Sequence, residues 1–213
     1  MPRKGRIVVP GLPHHVTQRG NYKQKVFETN NDYRKYLFLM KERANRYEVE
    51  IISYCLMFNH VHFIVVPKNQ DSMSKLFRDV HAFYSRYKNN FKDRKGHLWQ
   101  GRYYSCVMSD THLYQTIRYV EMNPVRAKIV DDPADYIWSS VRGHLGIEKV
   151  PIIRTKDIRF YGEKLNKSKS WLSYLMDQDE ESTKEIRKIT KKGSIYGNKD
   201  FVASLEKELV LGN

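Results

Sequence analysis

The sequence has no apolar run near the roughly 18 residues that a membrane-crossing helix needs, so no membrane span is expected. It has only two cysteines, Cys55 and Cys106, each inside an apolar stretch and without the paired spacing of a metal knot. Both read as buried free thiols of a reducing compartment. Acidic residues are missing from the first 27 positions altogether. The basic start Met1-Pro2-Arg3-Lys4-Gly5-Arg6 leads to a short apolar patch and prolines, which is not the pattern of a secretion signal. Internal repeats and long low-complexity tracts are missing too, which sets aside solenoids and linker-rich chains.

What is present is a surplus of positive charge. Over 213 residues, 38 Lys and Arg face 24 Asp and Glu, a net charge of +14, with 40% hydrophobic and 13% aromatic residues. That apolar fraction supports a core, and the length suits one or two domains. The charge is uneven: residues 1–147 hold 24 basic and 13 acidic side chains, whereas residues 148–213 hold 14 and 11. Such a surplus suits a polyphosphate, meaning nucleic acid, because each phosphate neutralised releases condensed counterions.

Periodicity orders the elements. His14 to Gln18 reads as a strand closed by Arg19-Gly20-Asn21. Tyr33, Tyr36, Leu37, Met40, Ala44 and Tyr47 line one face of a helix, with Asn30, Asn31 and Asp32 as candidate caps. Glu50–Met57 and His60–Val66 form a hairpin around Phe58-Asn59. A second helix from Asp71 or Ser72 buries Met73, Leu76, Phe77, Val80, Tyr84, Tyr87 and Phe91, and leaves Arg78, His81, Ser85 and Lys88 outside. His97–Met108 reads as a fourth strand, and Ser109 or Asp110 opens a third helix to about Met122.

The order β-α-β-β-α-β-α implies an α+β, ferredoxin-like fold: a four-stranded, mostly antiparallel sheet with two helices on one face and the other face free for ligand or nucleic acid. The composition shifts after Trp138-Ser139-Ser140. This suggests a domain over 1–145 and an extension over 146–213, irregular from Gly146 to Lys169. The extension then offers a short helix at Trp171–Met176, an acidic patch at Asp177–Glu181, a basic stretch through Lys192 and a last helix with Phe201, Leu205 and Leu209. It reads as an accessory module.

Two positions could carry chemistry. In a strand, His60 and His62 project from one face while Val61 and Phe63 point to the other. Two neutral imidazoles side by side are half of a divalent metal site, although with 8 histidines in 213 residues a His-x-His arises by chance roughly one time in four. In the third helix, Gln115, Tyr119 and Asn123 form a stripe apart from Leu113, Ile117 and Val120. Tyr119 can therefore face the sheet's open side as a nucleophile, or serve as one more packing tyrosine among fifteen.

Four blocks carry a resemblance: Pro13–Asn21, Tyr54–His62, His97–Tyr104 and Ile117–Ala127. In this order they resemble the IS200-like single-tyrosine transposases, including the REP-associated tyrosine transposases, over about residues 5–145. Trp138-Ser139-Ser140 is similar to the family's run after the tyrosine helix. Ile189–Gly193 and Gly197–Phe201 resemble an extension of longer members.

The resemblance implies a HUH endonuclease fold in which His60 and His62 hold one Mg²⁺ or Mn²⁺ and Tyr119 cuts single-stranded or hairpin DNA. Asn123 falls where relatives place a third polar ligand, and departs from the glutamine of the shortest members. Asn123-Pro124 equally fits a helix cap followed by proline.

The implied activity is a metal-dependent strand transfer through a covalent 5′-phosphotyrosine. The alternatives are a histidine-metal nuclease using water and a non-catalytic nucleic-acid-binding protein. An unperturbed phenol ionises near pH about 10, so cleavage at neutral pH needs help from a metal or a basic neighbour; Arg118 and Lys128 are near in sequence. Arg19, Lys23, Arg78, Lys88, Arg102, Lys191 and Lys192 are candidates to track DNA phosphates, and Phe58, Trp99, Tyr103 and Tyr104 to stack on bases. One nucleophile per chain suggests a homodimer for exchanging two ends. The setting expected is the bacterial cytoplasm, at the nucleoid. The last basic turn and helix either read a hairpin or pack on the core.

Overall fold

The computed structural model describes residues 5–92, 96–153, 170–177 and 180–211. The Phe91 side chain and most of the Gly146–Lys169 stretch lie outside the described residues, as do two positions of the acidic patch. In chain order the elements are β1 (His14–Arg19), α1 (Asn30–Arg46), β2 (Val49–Met57), β3 (His60–Pro67), α2 (Ser72–Lys92), β4 (Tyr104–Met108) and α3 (Asp110–Glu121). They continue with α4 (Asn123–Arg126), α5 (Val141–His144), α6 (Trp171–Met176), α7 (Glu180–Lys192), β5 (Ile195–Tyr196) and α8 (Lys199–Leu211). Among the described residues no helix is long and apolar enough to cross a membrane.

The sheet runs β2-β3-β1-β4-β5, so the expected four strands gain a fifth. β5 pairs parallel to β4, with Ile195 opposite Val107 and Tyr196 opposite Met108. The fourth strand is shorter than its sequence suggests and starts at Tyr104. Residues 98–101 instead bond back to the end of β1: the Asn21 amide donates to the Leu98 carbonyl, the Gln100 amide to Arg19, and the Gln18 side chain to Gly101. Leu98 and Trp99 turn into the core.

Alternation along the strands sorts two cores. Val16, Val61, Phe63 and Val65 face α1 and α2, where Tyr36, Met40, Leu76, Phe77, Val80 and Tyr84 are fully buried against them. The α1 N-terminus is a reciprocal capping box, with Thr29 as the cap and Asp32 at its third position; the three candidate caps lie inside the helix. Asp32 also accepts from Lys88 Nζ at 2.8 Å, and Glu28 does so at 3.1 Å. Lys88 therefore bolts α2 to α1.

The opposite face is not free. Ile52, Cys55, Met57 and Ile64 pack under α3 through Leu113, Ile117, Tyr119 and Val120, and Ile186 of α7 joins them. The sequence period marks a helix face as apolar without saying which sheet face receives it, which is why this cover was not foreseen. Both cysteines are free and buried.

The C-terminal end of α3 is fixed by a closed polar cluster. Glu121 is fully buried. Its Oε1 accepts from Ser140 Oγ at 2.5 Å and from His144 Nδ1, and its Oε2 accepts from Trp171 Nε1 at 3.1 Å. His144 Nε2 meets the Ile52 carbonyl at 3.1 Å. Four elements thus converge two residues after Tyr119.

Candidate active site

The pairing of β1 with β3 sets Thr17 opposite His62 and Arg19 opposite His60, with His15 opposite Ile64. His15, Thr17 and Arg19 therefore share one face with His60 and His62. Against this face α3 lays Tyr119, whose ring stands edge-on to His15 at 5.6 Å and to His62 at 5.5 Å. His60 and His62 are 5.0 Å apart between ring centroids. The three sequence candidates His60, His62 and Tyr119 open on one cavity of about 670 Å³, together with Asn123.

Hydrogen bonds fix the ring nitrogens. His60 Nδ1 lies 2.6 Å from Asn59 Oδ1, and the Asn59 amide nitrogen is itself committed to the Lys23 carbonyl. The Nδ1–H of His60 therefore donates, which leaves an Nε2 lone pair. His62 Nδ1 is engaged at 2.9 Å by His15 Nε2, and His15 Nδ1 meets Thr190 Oγ1 at 2.8 Å. His62 thus also keeps Nε2 uncommitted.

Burial disfavours the protonated rings. It pushes His15 down to about 3 and, with the charges of Arg19 and Arg187, His60 down to about 4. His62 lies well below its ordinary value, first through burial and then through His60, His15, Arg126 and Arg19. Neutral rings are the form that binds metals. Among the described residues no group of three His, Cys, Asp or Glu could hold an ion.

Asn123 is not the cap that Asn123-Pro124 suggested: it is the first residue of α4, and Met122 precedes it as the cap. Its Nδ2 donates to the carbonyls of Tyr119 and Val120 at 3.1 and 3.2 Å. Its amide oxygen is left over, and the residue lines the cavity.

The cavity wall is cationic. Arg19, Arg126, Arg187 and Lys191 line it, and no carboxylate does among the described residues. The Arg126 guanidinium lies 4.6 Å over the Tyr119 ring and Arg187 lies 5.8 Å from it. Burial lowers Arg126 to about 10. Tyr119, Arg126 and Arg187 also line a neighbouring cavity of about 510 Å³ with Arg118 and Lys128. On the other side a groove of about 760 Å³ runs past Arg19, Arg102, Tyr104, Lys191 and Lys192.

The candidate DNA contacts divide accordingly. Arg19, Arg102, Lys191 and Lys192 line the cavity and its groove. Lys23 stands exposed on the short turn after β1. Arg78 is exposed on α2, on the far side of the sheet, and bonds Asp79. Lys88 is only 5% exposed and paired to two carboxylates, which removes it from any contact with phosphate. Of the stacking candidates, Tyr104 and Phe58 are exposed, whereas Trp99 and Tyr103 are core residues.

Four residues escaped sequence reasoning: His15, Arg126, Arg187 and Thr190. Only strand alternation from His15 through Thr17 to Arg19 could have pointed to the first.

Known proteins share the fold. A search of curated proteins finds no significant match. The structure described as a REP-associated tyrosine transposase bound to a REP hairpin superposes with a TM-score of 0.59 at 19% identity, over 74% of this chain and 93% of that one. A crystal structure from Deinococcus radiodurans R1, described as a candidate transposase, aligns at 20% identity with a TM-score of 0.41, over 56% of this chain and 96% of that one. Residues 8–123, which contain His60, His62 and the tyrosine helix, match the family described as IS200-like transposase, and the chain belongs to that family.

Proposed function

We propose that the protein is a divalent-metal-dependent strand transferase of single-stranded or hairpin DNA, with Tyr119 as nucleophile. The observation that supports this most is the meeting of the Tyr119 ring with His62 at 5.5 Å in a cavity whose charged walls, among the described residues, are all basic. The residues fit a metal: two neutral imidazoles line the cavity, each held by a hydrogen bond at Nδ1 that leaves Nε2 without a partner among the described residues. His60 and His62 would hold the Mg²⁺ or Mn²⁺, with the Asn123 amide oxygen as a third candidate and DNA oxygens or water completing the set. When bound, the ion neutralises charge on the phosphoryl oxygens.

The chain's own residues do the rest. Tyr119 Oη forms a bond to phosphorus as the bond to the 3′ oxygen breaks, and the phenol proton ends on that oxygen as a 3′ hydroxyl. The 5′ phosphate stays on the tyrosine, so the ester bond is exchanged and the reverse reaction can rejoin a strand. Arg126 and Arg187 place positive charge beside the attacking ring, where the transferring group gathers negative charge. Tyr104 offers an exposed ring in the basic groove for base stacking. Residues 146–213 act here as a DNA-binding extension, through Arg187, Lys191 and Lys192. Exchange of two ends requires two such sites, hence a second copy of the chain.

The hairpin described in the solved relative makes hairpin DNA the first substrate to try. The test is incubation with labelled single-stranded DNA carrying a hairpin, in Mn²⁺ or Mg²⁺, followed by a denaturing gel. A covalent adduct is expected from the unaltered protein and from neither Tyr119→Phe nor His62→Ala. Cleavage that survives in Tyr119→Phe would overturn the nucleophile, and absence of cleavage on every hairpin would favour a binding-only protein.

A further inference from the structure

Three hydrogen bonds run in series from the C-terminal extension to the second histidine of the His-x-His pair. Cys106 Sγ meets Thr190 Oγ1 at 3.3 Å, Thr190 Oγ1 meets His15 Nδ1 at 2.8 Å, and His15 Nε2 meets His62 Nδ1 at 2.9 Å. The two rings are nearly coplanar, at 7°, with centroids 5.2 Å apart, so they meet edge to edge through their nitrogens. Cys106, Thr190 and His15 are each at most 2% exposed. We propose that Thr190, acting through His15, is a positioning residue that sets which nitrogen of His62 carries the proton. The proposal rests on the reading of His62 as a metal ligand and extends it to a residue 175 positions from its partner.

A chain of hydrogen bonds between rings and hydroxyls has two proton directions. In the first, His62 Nδ1–H donates to His15 Nε2, His15 Nδ1–H donates to Thr190, and the Thr190 hydroxyl donates to sulfur. His62 then shows a lone pair at Nε2. In the second, every donor is reversed and His62 shows Nε2–H, which cannot bind a metal.

The surroundings favour the first. The cavity that His62 lines also holds Arg19, Arg126, Arg187 and Lys191 and no carboxylate among the described residues. An outward N–H would meet other donors, whereas an outward lone pair meets positive charge. At the far end the thiol is both a weak donor and a weak acceptor, so it pins neither direction and the cavity side decides. A buried hydrogen bond of fixed direction also holds the ring's rotation, which lets α7 pass its own position to the catalytic face.

The experiment combines ¹⁵N-histidine NMR on metal-free protein with calorimetric Mn²⁺ titration. Unaltered protein is expected to show His62 protonated at Nδ1. Thr190→Val keeps the shape and removes the hydroxyl: it should mix the two tautomers and weaken Mn²⁺ binding about ten-fold, and Thr190→Ser should restore both. Should Thr190→Val fail to fold, His15→Phe keeps a flat ring, removes both imidazole bonds and should weaken Mn²⁺ at least as much. A proton on His62 Nε2 in the unaltered protein, or a Thr190→Val protein equal to it in tautomer and affinity, would overturn the proposal. If Mn²⁺ binding needs His60 and His62 but ignores Thr190 and His15, the positioning role fails and the proposed function stands. If the Nδ1 proton is found and Thr190-dependent while no Mn²⁺ binds, the positioning holds and the proposed function fails.

Discussion

Two buried polar clusters flank the tyrosine helix, and they are built to opposite ends. The one at Glu121 is closed: both carboxylate oxygens and both His144 nitrogens have partners inside the protein. The one at His62 is bonded just as tightly from behind, through His15 and Thr190, yet leaves imidazole Nε2 atoms and the Tyr119 hydroxyl facing a cavity. A satisfied cluster fixes geometry, whereas a cluster with atoms left over can bind something. The first holds the helix so that the second can use it.

Exchanging functional loss for structural loss breaks this comparison most sharply. Tyr119→Phe removes a hydroxyl that bonds no described group, so adduct formation should fall by more than about a thousand-fold with an unchanged melting temperature. Parallel loss of both in that variant would merge the two clusters into one structural role. Glu121→Ala should do the reverse, costing about 3–5 kcal/mol by stranding buried donors. Denaturant unfolding measures that loss, and a change under 1 kcal/mol would show that the closed cluster does not anchor α3.

Acid should reach the open cluster through its neutral rings. His15 and His60 are held down at about 3 and about 4, below the ordinary 6.5, chiefly by burial. As pH falls below about 6.5, the unfolded chain takes up protons that the native chain refuses, so stability falls by about 1.4 kcal/mol per pH unit for each ring. Melting curves from pH 7 to 5 test this, and His15→Phe should flatten the slope. The smallest effect is expected from Arg187→Ala, exposed and at 5.8 Å from the Tyr119 ring. Adduct formation should slow about five-fold, near 1 kcal/mol, and equal rates would confine Arg187 to the surface.

Much of the site was legible because it depends on short periods. His-x-His on a strand puts two rings on one side, and a stripe spaced by four brings Tyr119 and Asn123 to one cavity, although Tyr119 also stays packed with Leu113, Ile117 and Val120. What was not legible depends on pairing at a distance. His15 becomes the partner of His62 only once β1 and β3 adopt their register, and Thr190 only once α7 lies across the sheet. Lys88 shows the same limit in reverse: its spacing assigns it to the polar side of α2, but Asp32 on another helix draws it inside. The fifth strand is two residues long and carries no alternation to read.

Those two residues have a practical consequence. A truncated product ending near residue 145 would keep His60, His62 and Tyr119 but lose Ile195 and Tyr196, baring the outer backbone of β4 to any other extended chain. It should come out of cells as aggregate more readily than the intact protein, and a preparation cut down to the matched family region would be the wrong material in which to look for activity.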